Sequence, residues 1–254
     1  MNQPVVIIGM GELGGVFAKS FLRNGCPVYP VVRSMNMSEE AEIMPNPQLV
    51  LVAVAEKDFQ SVMANIPSQW KNRIGLLQNE LLPRDWMSHD IENPTVLSVW
   101  FEKKKNMDYK VLIPSRLYGP KAELIAESLS GIQIPCMVLN GEDDLLYELV
   151  RKNVFVFTIN IAGLALEDGA TTYTLWTKHN KLALKIANEV IDVQEWLTGA
   201  SFRRQRLIDG FEEGIRGDPD HNCMGRAARE RLVRIIAAAD AADLKIPGIR
   251  SINS

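Results

Sequence analysis

Cysteine is scarce in this chain: Cys26, Cys136 and Cys223 stand far apart and form no Cys-x-x-Cys pair. An odd number at such spacing supports neither a disulfide framework nor a zinc site. All three are read as free thiols, with Cys26 and Cys136 partly buried. Charge of one sign is also lacking. A net charge of −3, from 28 basic and 31 acidic residues, exerts no global pull toward nucleic acid or an anionic membrane. Long hydrophobic runs are absent as well. Val5-Val6-Ile7-Ile8 is too short to cross a bilayer, and Met1-Asn2-Gln3-Pro4 offers no basic residue to open a signal peptide. The expectations are a cytoplasmic protein with no nucleic-acid or membrane partner. There is no internal repeat and no low-complexity stretch. What remains is a 254-residue chain, 46% hydrophobic, long enough for two ordinary domains with separate cores.

Val5-Val6-Ile7-Ile8 reads as a parallel strand covered on both faces. Gly9-Met10-Gly11-Glu12-Leu13-Gly14-Gly15 follows at once, then a helix on the spacing of Phe17, Ala18, Phe21 and Leu22, stopped by Asn24-Gly25. A second strand is expected at 28–32, although Pro30 within it removes a ladder donor and suits an edge. Residues 33–48 are polar and broken by Pro45 and Pro47, leaving little room for a further strand and helix. Leu49-Val50-Leu51-Val52-Ala53-Val54 is the strongest strand. A helix near 58–65, strands at 74–77, 95–100, 109–113 and 136–139, and a helix around 121–129 continue the pattern. From Asp143 onward helical periodicity takes over, through 145–166, 173–197, 201–215 and 226–242. The fold class is therefore an α/β domain of Rossmann type with a mostly parallel sheet, 1–140, followed by an all-α domain, 141–254.

Gly9-x-Gly11-x-x-Gly14 is a weak signal as a bare pattern and a strong one between an apolar strand and a helix. The first glycine permits the tight turn. The second lets a pyrophosphate approach the backbone, the third lets helix and strand pack closely, and the helix amides receive the phosphates. Gly9, Met10, Gly11, Glu12, Leu13 and Gly14, with Val54 and Ala55 at the end of the strongest strand, form the candidate dinucleotide site. An acidic residue after the second strand would accept the ribose hydroxyls of NAD. Val32-Arg33-Ser34 stands there instead, and a guanidinium beside a hydroxyl suits the extra phosphate of NADP. An ordinary exposed arginine is the alternative.

Three further elements carry a family resemblance: Gln78-Asn79-Glu80-Leu81 after a strand, Glu148-Leu149-Val150-Arg151-Lys152 at the start of the helical half, and Asn160 beyond it. With the glycine loop, and with Leu244-Lys245-Ile246-Pro247 as a closing element, the chain resembles the ketopantoate reductase family from Val5 to about Pro247. The resemblance implies a Rossmann domain, a helical substrate and dimerisation domain, and reduction of a 2-keto acid by NADPH. It places Asn79 near the nicotinamide, makes Lys152 the donor of a proton to the substrate carbonyl, and assigns Asn160 to the substrate. The residues themselves agree about the lysine. A lysine near the start of an almost wholly apolar helix either snorkels outward or faces a cleft.

The departures from the family pattern fall on the substrate side. Val156 occupies a position where the family has asparagine, and Ala227 and Ala228 lie where it carries a glutamate. The expected substrate is therefore a small carbonyl compound or imine less hydroxylated than ketopantoate, with a homodimer as the candidate assembly. A prephenate-like dehydrogenase and a noncatalytic NADP-binding sensor are the rival readings. Asp218-Pro219-Asp220-His221-Asn222-Cys223 holds ligand-type residues, yet Asp220 and His221 are adjacent and cannot form a spaced cage, so it reads as a loop and no metal is expected. The alternative for His221 is a place at the substrate cleft. Arg203, Arg204 and Arg206 read as a solvated face or a domain or subunit contact, Lys103-Lys104-Lys105 as a turn, and Trp100 and Phe101 as core with a pocket wall as the alternative.

Overall fold

The computed structural model describes residues 3–252; Met1 and Asn2, part of the segment read for a leader, lie outside the described residues. The chain divides between Glu148 and Leu149 into two compact units. The sequence places the division at 140/141; in the structure it falls inside one helix, α6 (Glu142–Gly163).

The first unit is built on a seven-stranded sheet. Its strands are β1 (Val5–Ile8), β2 (Val28–Val31), β3 (Leu49–Val52), β4 (Ile74–Leu76), β5 (Thr95–Ser98), β8 (Ser115–Tyr118) and β9 (Cys136–Val138), in the order β2-β1-β3-β4-β5-β8-β9. The first five pair in parallel, β8 pairs antiparallel to β5, and β9 is parallel to β8. Every residue of β1 and β3 is buried, as continuous apolar runs require when both faces are covered. β2 is the edge strand, which explains how it holds Pro30: the missing N–H faces no further neighbour. Helices α1 (Glu12–Arg23) and α5 (Ala122–Ser130) pack over the sheet, with Phe17, Phe21, Ile125 and Leu129 in the core.

Several expectations need correction. The run 95–100 splits, because the chain turns out of β5 and starts a separate hairpin, β6 (Phe101–Lys103) with β7 (Tyr109–Val111). Lys103 thus belongs to a strand, and Trp100 and Phe101 are core residues. The segment after β2 has room for a helix after all: α2 (Met37–Ile43), whose Asn36 side chain accepts a hydrogen bond from the Ser38 N–H. Helix α3 (Glu56–Ala64) starts earlier than expected, and the short α4 (Pro83–Met87) and strand β8 are additions.

The second unit is helical. Besides the C-terminal part of α6 it comprises α7 (Thr172–Lys178), α8 (Asn180–Thr198), α9 (Arg204–Gly217), α10 (Ala228–Ala241) and α11 (Pro247–Arg250). The single helix expected over 173–197 breaks at His179, whose φ of −125° and ψ of 31° leave the helical region. Arg204 joins α9 to α8 through Asp192 at 2.6 Å and Glu195 at 3.4 Å, so it serves packing within this unit, whereas Arg203 and Arg206 are exposed. Glu189 on α8 receives the N–H groups of Gly248 and Ile249, each at 2.8 Å, and so caps α11. Among the described residues no helix is long and apolar enough to cross a membrane.

Candidate dinucleotide site

The glycine loop joins β1 to α1 at the carboxyl end of the sheet. Gly9 has φ +95°, and a Cβ there would lie 2.8 Å from the Ala53 carbonyl oxygen, so its glycine is demanded by the fold. Gly11 differs. It caps α1 with no side-chain hydrogen bond, and a Cβ on it would meet nothing within 4 Å. Packing gives no reason for glycine at position 11, whereas a ligand approaching the backbone does.

Gly11 lies on the wall of a cavity of about 670 Å³ formed where β1, β2 and β3 end. Gly9, Met10, Arg33, Val54 and Ala55 share that wall, so the structure brings most of the sequence-predicted cofactor residues together. Glu12 is instead on an adjoining cavity of about 400 Å³ with Lys19, Lys103 and Tyr109, and its carboxylate is 3.4 Å from the Lys103 ammonium. Leu13, Gly14 and Ser34 do not line the larger cavity. Arg33 and Ser34 form a turn closed by the Met35 N–H donating to the Val32 carbonyl at 2.9 Å. Arg33 extends from it to Asp58 on α3, at 3.0 Å.

Asn79 follows β4 and donates to Glu56 Oε1 at 2.8 Å, which ties it to the start of α3. Its neighbour Gln78 is buried and donates to the Val52 and Val54 carbonyls at 2.7 and 3.3 Å. Gln78 therefore fixes the end of β3 from which Val54 and Ala55 reach the cavity. Sequence reasoning quoted this glutamine without giving it a role. It also missed Asp58, although the position one helical turn after Ala55, just beyond a strand end, was a readable signal.

In the helical unit, Lys152 is the one residue between Leu149 and Gly163 that is not buried, and its Nζ stands 5.9 Å from the Phe155 ring centre. Asn160 is buried and engaged through both ends of its amide. Its Oδ1 accepts from the Gly225 N–H at 3.0 Å and from Arg231 at 3.3 Å, and its Nδ2 donates to the Val156 carbonyl at 2.8 Å. Val156 is buried, and Ala227 precedes α10. His221 Nδ1 lies 3.6 Å from the buried Asp218 carboxylate. Cys136 and Cys223 are free thiols whose burial pushes their ionisation up to about 12.

No protein-family model and no curated protein matches the sequence. Solved structures do match. The 2-dehydropantoate 2-reductase of Methylococcus capsulatus is 12% identical, with a TM-score of 0.68 over 98% of this chain and 94% of that one. A PanE/ApbA family ketopantoate reductase of Ralstonia eutropha is 14% identical, TM-score 0.68, over 98% and 95% of the two chains. D-mandelate dehydrogenase with NADH and anilino(oxo)acetate is 13% identical, TM-score 0.68, over the same shares of 98% and 95%. The chain thus has the fold of the ketopantoate reductases and D-mandelate dehydrogenase across nearly its whole length, as a divergent example of it.

Proposed function

We propose that the protein is an NADP-dependent oxidoreductase acting on a small 2-keto acid-like carbonyl. The observation that carries this reading is the cavity at the ends of β1, β2 and β3, walled by Gly9, Gly11, Arg33, Val54 and Ala55. It has the size of a small-molecule site, an open Gly11 where phosphates would approach, and a guanidinium at its rim. These residues fit a nicotinamide dinucleotide, with the α1 amides on the pyrophosphate and Arg33 at the 2′-phosphate. Bound there, the dinucleotide supplies or accepts a hydride.

The chain's own chemical contribution is assigned to Lys152. Its ammonium holds a proton in a helical stretch otherwise buried, and beside a carbonyl oxygen it would stabilise the developing alkoxide and protonate it. Asn79, tethered to Glu56, is the proposed polar contact at the nicotinamide end. Asn160 is proposed to shape the substrate side by holding the Gly225 backbone. A similar structure binding NADH and anilino(oxo)acetate supports the same class of chemistry.

Titration with NADPH by calorimetry, followed by a screen of 2-keto acids, aldehydes and imines, tests the reading. Micromolar NADPH binding with turnover of a carbonyl compound is the expected result; no binding at millimolar NADPH would sink it. The engagement of Asn160 and the apolar Val156 favour one second reading, a dinucleotide-binding protein without catalysis. Tight NADPH binding with no turnover across the screen would select it.

A further inference from the structure

Arg33 and Asp58 are the two charged side chains among the described residues that line the 670 Å³ cavity, and they face each other at 3.0 Å. Arg33 comes from the turn after the edge strand β2, and Asp58 from the first turn of α3, after β3. Only the sheet order, with β1 between those strands, brings them to one rim. A carboxylate that accepts ribose hydroxyls normally stands at the end of the second strand. Here that position is arginine, and the carboxylate arrives from α3.

We propose that Asp58 is a specificity-determining residue that restrains the preference of this site for the 2′-phosphorylated dinucleotide. The inference rests on the cavity being a dinucleotide site. Asp58 acts in two ways. It occupies the guanidinium that a 2′-phosphate needs, and it leaves a like charge beside that phosphate once Arg33 has turned to it. For a free ribose the same carboxylate is an acceptor for the 2′- and 3′-hydroxyls. The pair is well placed for such a switch. The Arg33 side chain is 88% exposed and that of Asp58 36%, so the ion pair is weakly held and a phosphate can compete for it. The Asp58 backbone is fixed by its N–H donating to the Ala55 carbonyl at 3.0 Å, which keeps the carboxylate at the rim whichever partner Arg33 takes.

Dissociation constants for NADPH and NADH, measured by calorimetry on wild type, Asp58→Asn and Asp58→Ser, test the proposal. Both variants should bind NADPH roughly three- to tenfold more tightly, the scale of one solvent-screened charge contact, while NADH is unchanged or weaker. The gain should shrink in 0.5 M salt, where the screening length is only a few ångströms. In an Arg33→Ala background only the repulsion remains, so Asp58→Asn should help NADPH less. Binding of both nucleotides with an unchanged affinity ratio in both Asp58 variants overturns this inference alone. Failure of wild type to bind either nucleotide overturns the reading of the cavity, and this proposal with it.

Discussion

A Cβ on Gly14 would stand 2.1 Å from the carbonyl oxygen of Gly9. The first turn of α1 is therefore pressed against the strand end that it follows, and position 14 admits no side chain. Gly11, three residues earlier, has open space where its Cβ would be. Two glycines of one motif thus answer to different demands, and substitution separates them. Gly14→Ala should destabilise the protein by about 1–3 kcal/mol or more through overpacking against backbone. Gly11→Ala should cost less, about 0.5–1 kcal/mol, the difference between glycine and alanine at an N-cap, yet weaken dinucleotide binding tenfold or more. Urea denaturation and nucleotide titration of both variants check this, and equal effects on stability would refute it.

Arg33→Ala should weaken NADPH binding by about 1.5 kcal/mol and leave NADH within about twofold. The figure sits at the low end for a charge-assisted hydrogen bond, because the side chain is exposed and must leave Asp58 to reach a phosphate. Calorimetry with each nucleotide decides it. An unchanged preference would leave Arg33 as a surface ion-pair residue.

The thiols give a prediction about pH. Burial raises Cys136 and Cys223 to about 12, against an ordinary 9.0. At pH 8 the thiolate fraction of each is on the order of 10⁻⁴, so a disulfide reagent should label the folded protein far more slowly than the urea-unfolded chain. The sign for stability follows. Above pH 9 the unfolded chain releases these protons while the folded protein retains them, so stability falls as pH rises between 9 and 12. The denaturation midpoint should drop between pH 8 and 10.5, and drop less in Cys136→Ala.

Much of the first unit was legible because its strands announce themselves. The continuous apolar runs of β1 and β3 are buried on both faces, and no loop reading suits them. β8 was not legible. Only Ser115 and Leu117 of its four residues are buried, and Arg116 and Tyr118 alternate with them in a pattern too short to distinguish from a loop. The apolar Val99 and Trp100 directly after Ser98 concealed the end of β5, and α2 was concealed by the prolines that follow it. At the site, local chemistry gave Gly9, Gly11 and Arg33, whereas Asp58 reaches them only through strand order. Asn160 was named by the family resemblance; its partners Gly225 and Arg231 are distant in sequence and could not be read.

That arrangement makes Asn160→Ala a test of how the residue acts. Removing Oδ1 leaves the Gly225 N–H without its acceptor and takes one acceptor from Arg231. Gly225 is exposed and water can take its N–H, so the loss should be about 1 kcal/mol of stability, the net worth of an ordinary hydrogen bond. Asn160→Asp keeps the oxygen for Gly225 and Arg231 but turns a second acceptor on the Val156 carbonyl, so it should restore stability only in part. A variant of wild-type stability with a raised KM would instead make Asn160 a substrate contact in its own right.

Lys152 separates catalysis from packing most directly. If its ammonium protonates the substrate oxygen, Lys152→Ala should lower turnover roughly 10²-fold or more, since general acid catalysis typically contributes that much. Dinucleotide affinity should hardly change, because the residues proposed to grip the phosphates, Gly11 and Arg33, belong to the other unit. A role in packing predicts the reverse. Its Nζ stands 5.9 Å from the Phe155 ring centre, so loss of the side chain would reduce stability slightly and leave turnover within a few-fold. Lys152→Arg discriminates further: it keeps a cation near that ring but holds its proton too tightly to act as an acid at neutral pH. A stable, NADPH-binding, inactive Lys152→Arg protein therefore assigns the proton to Lys152, and a fully active one removes it from the mechanism.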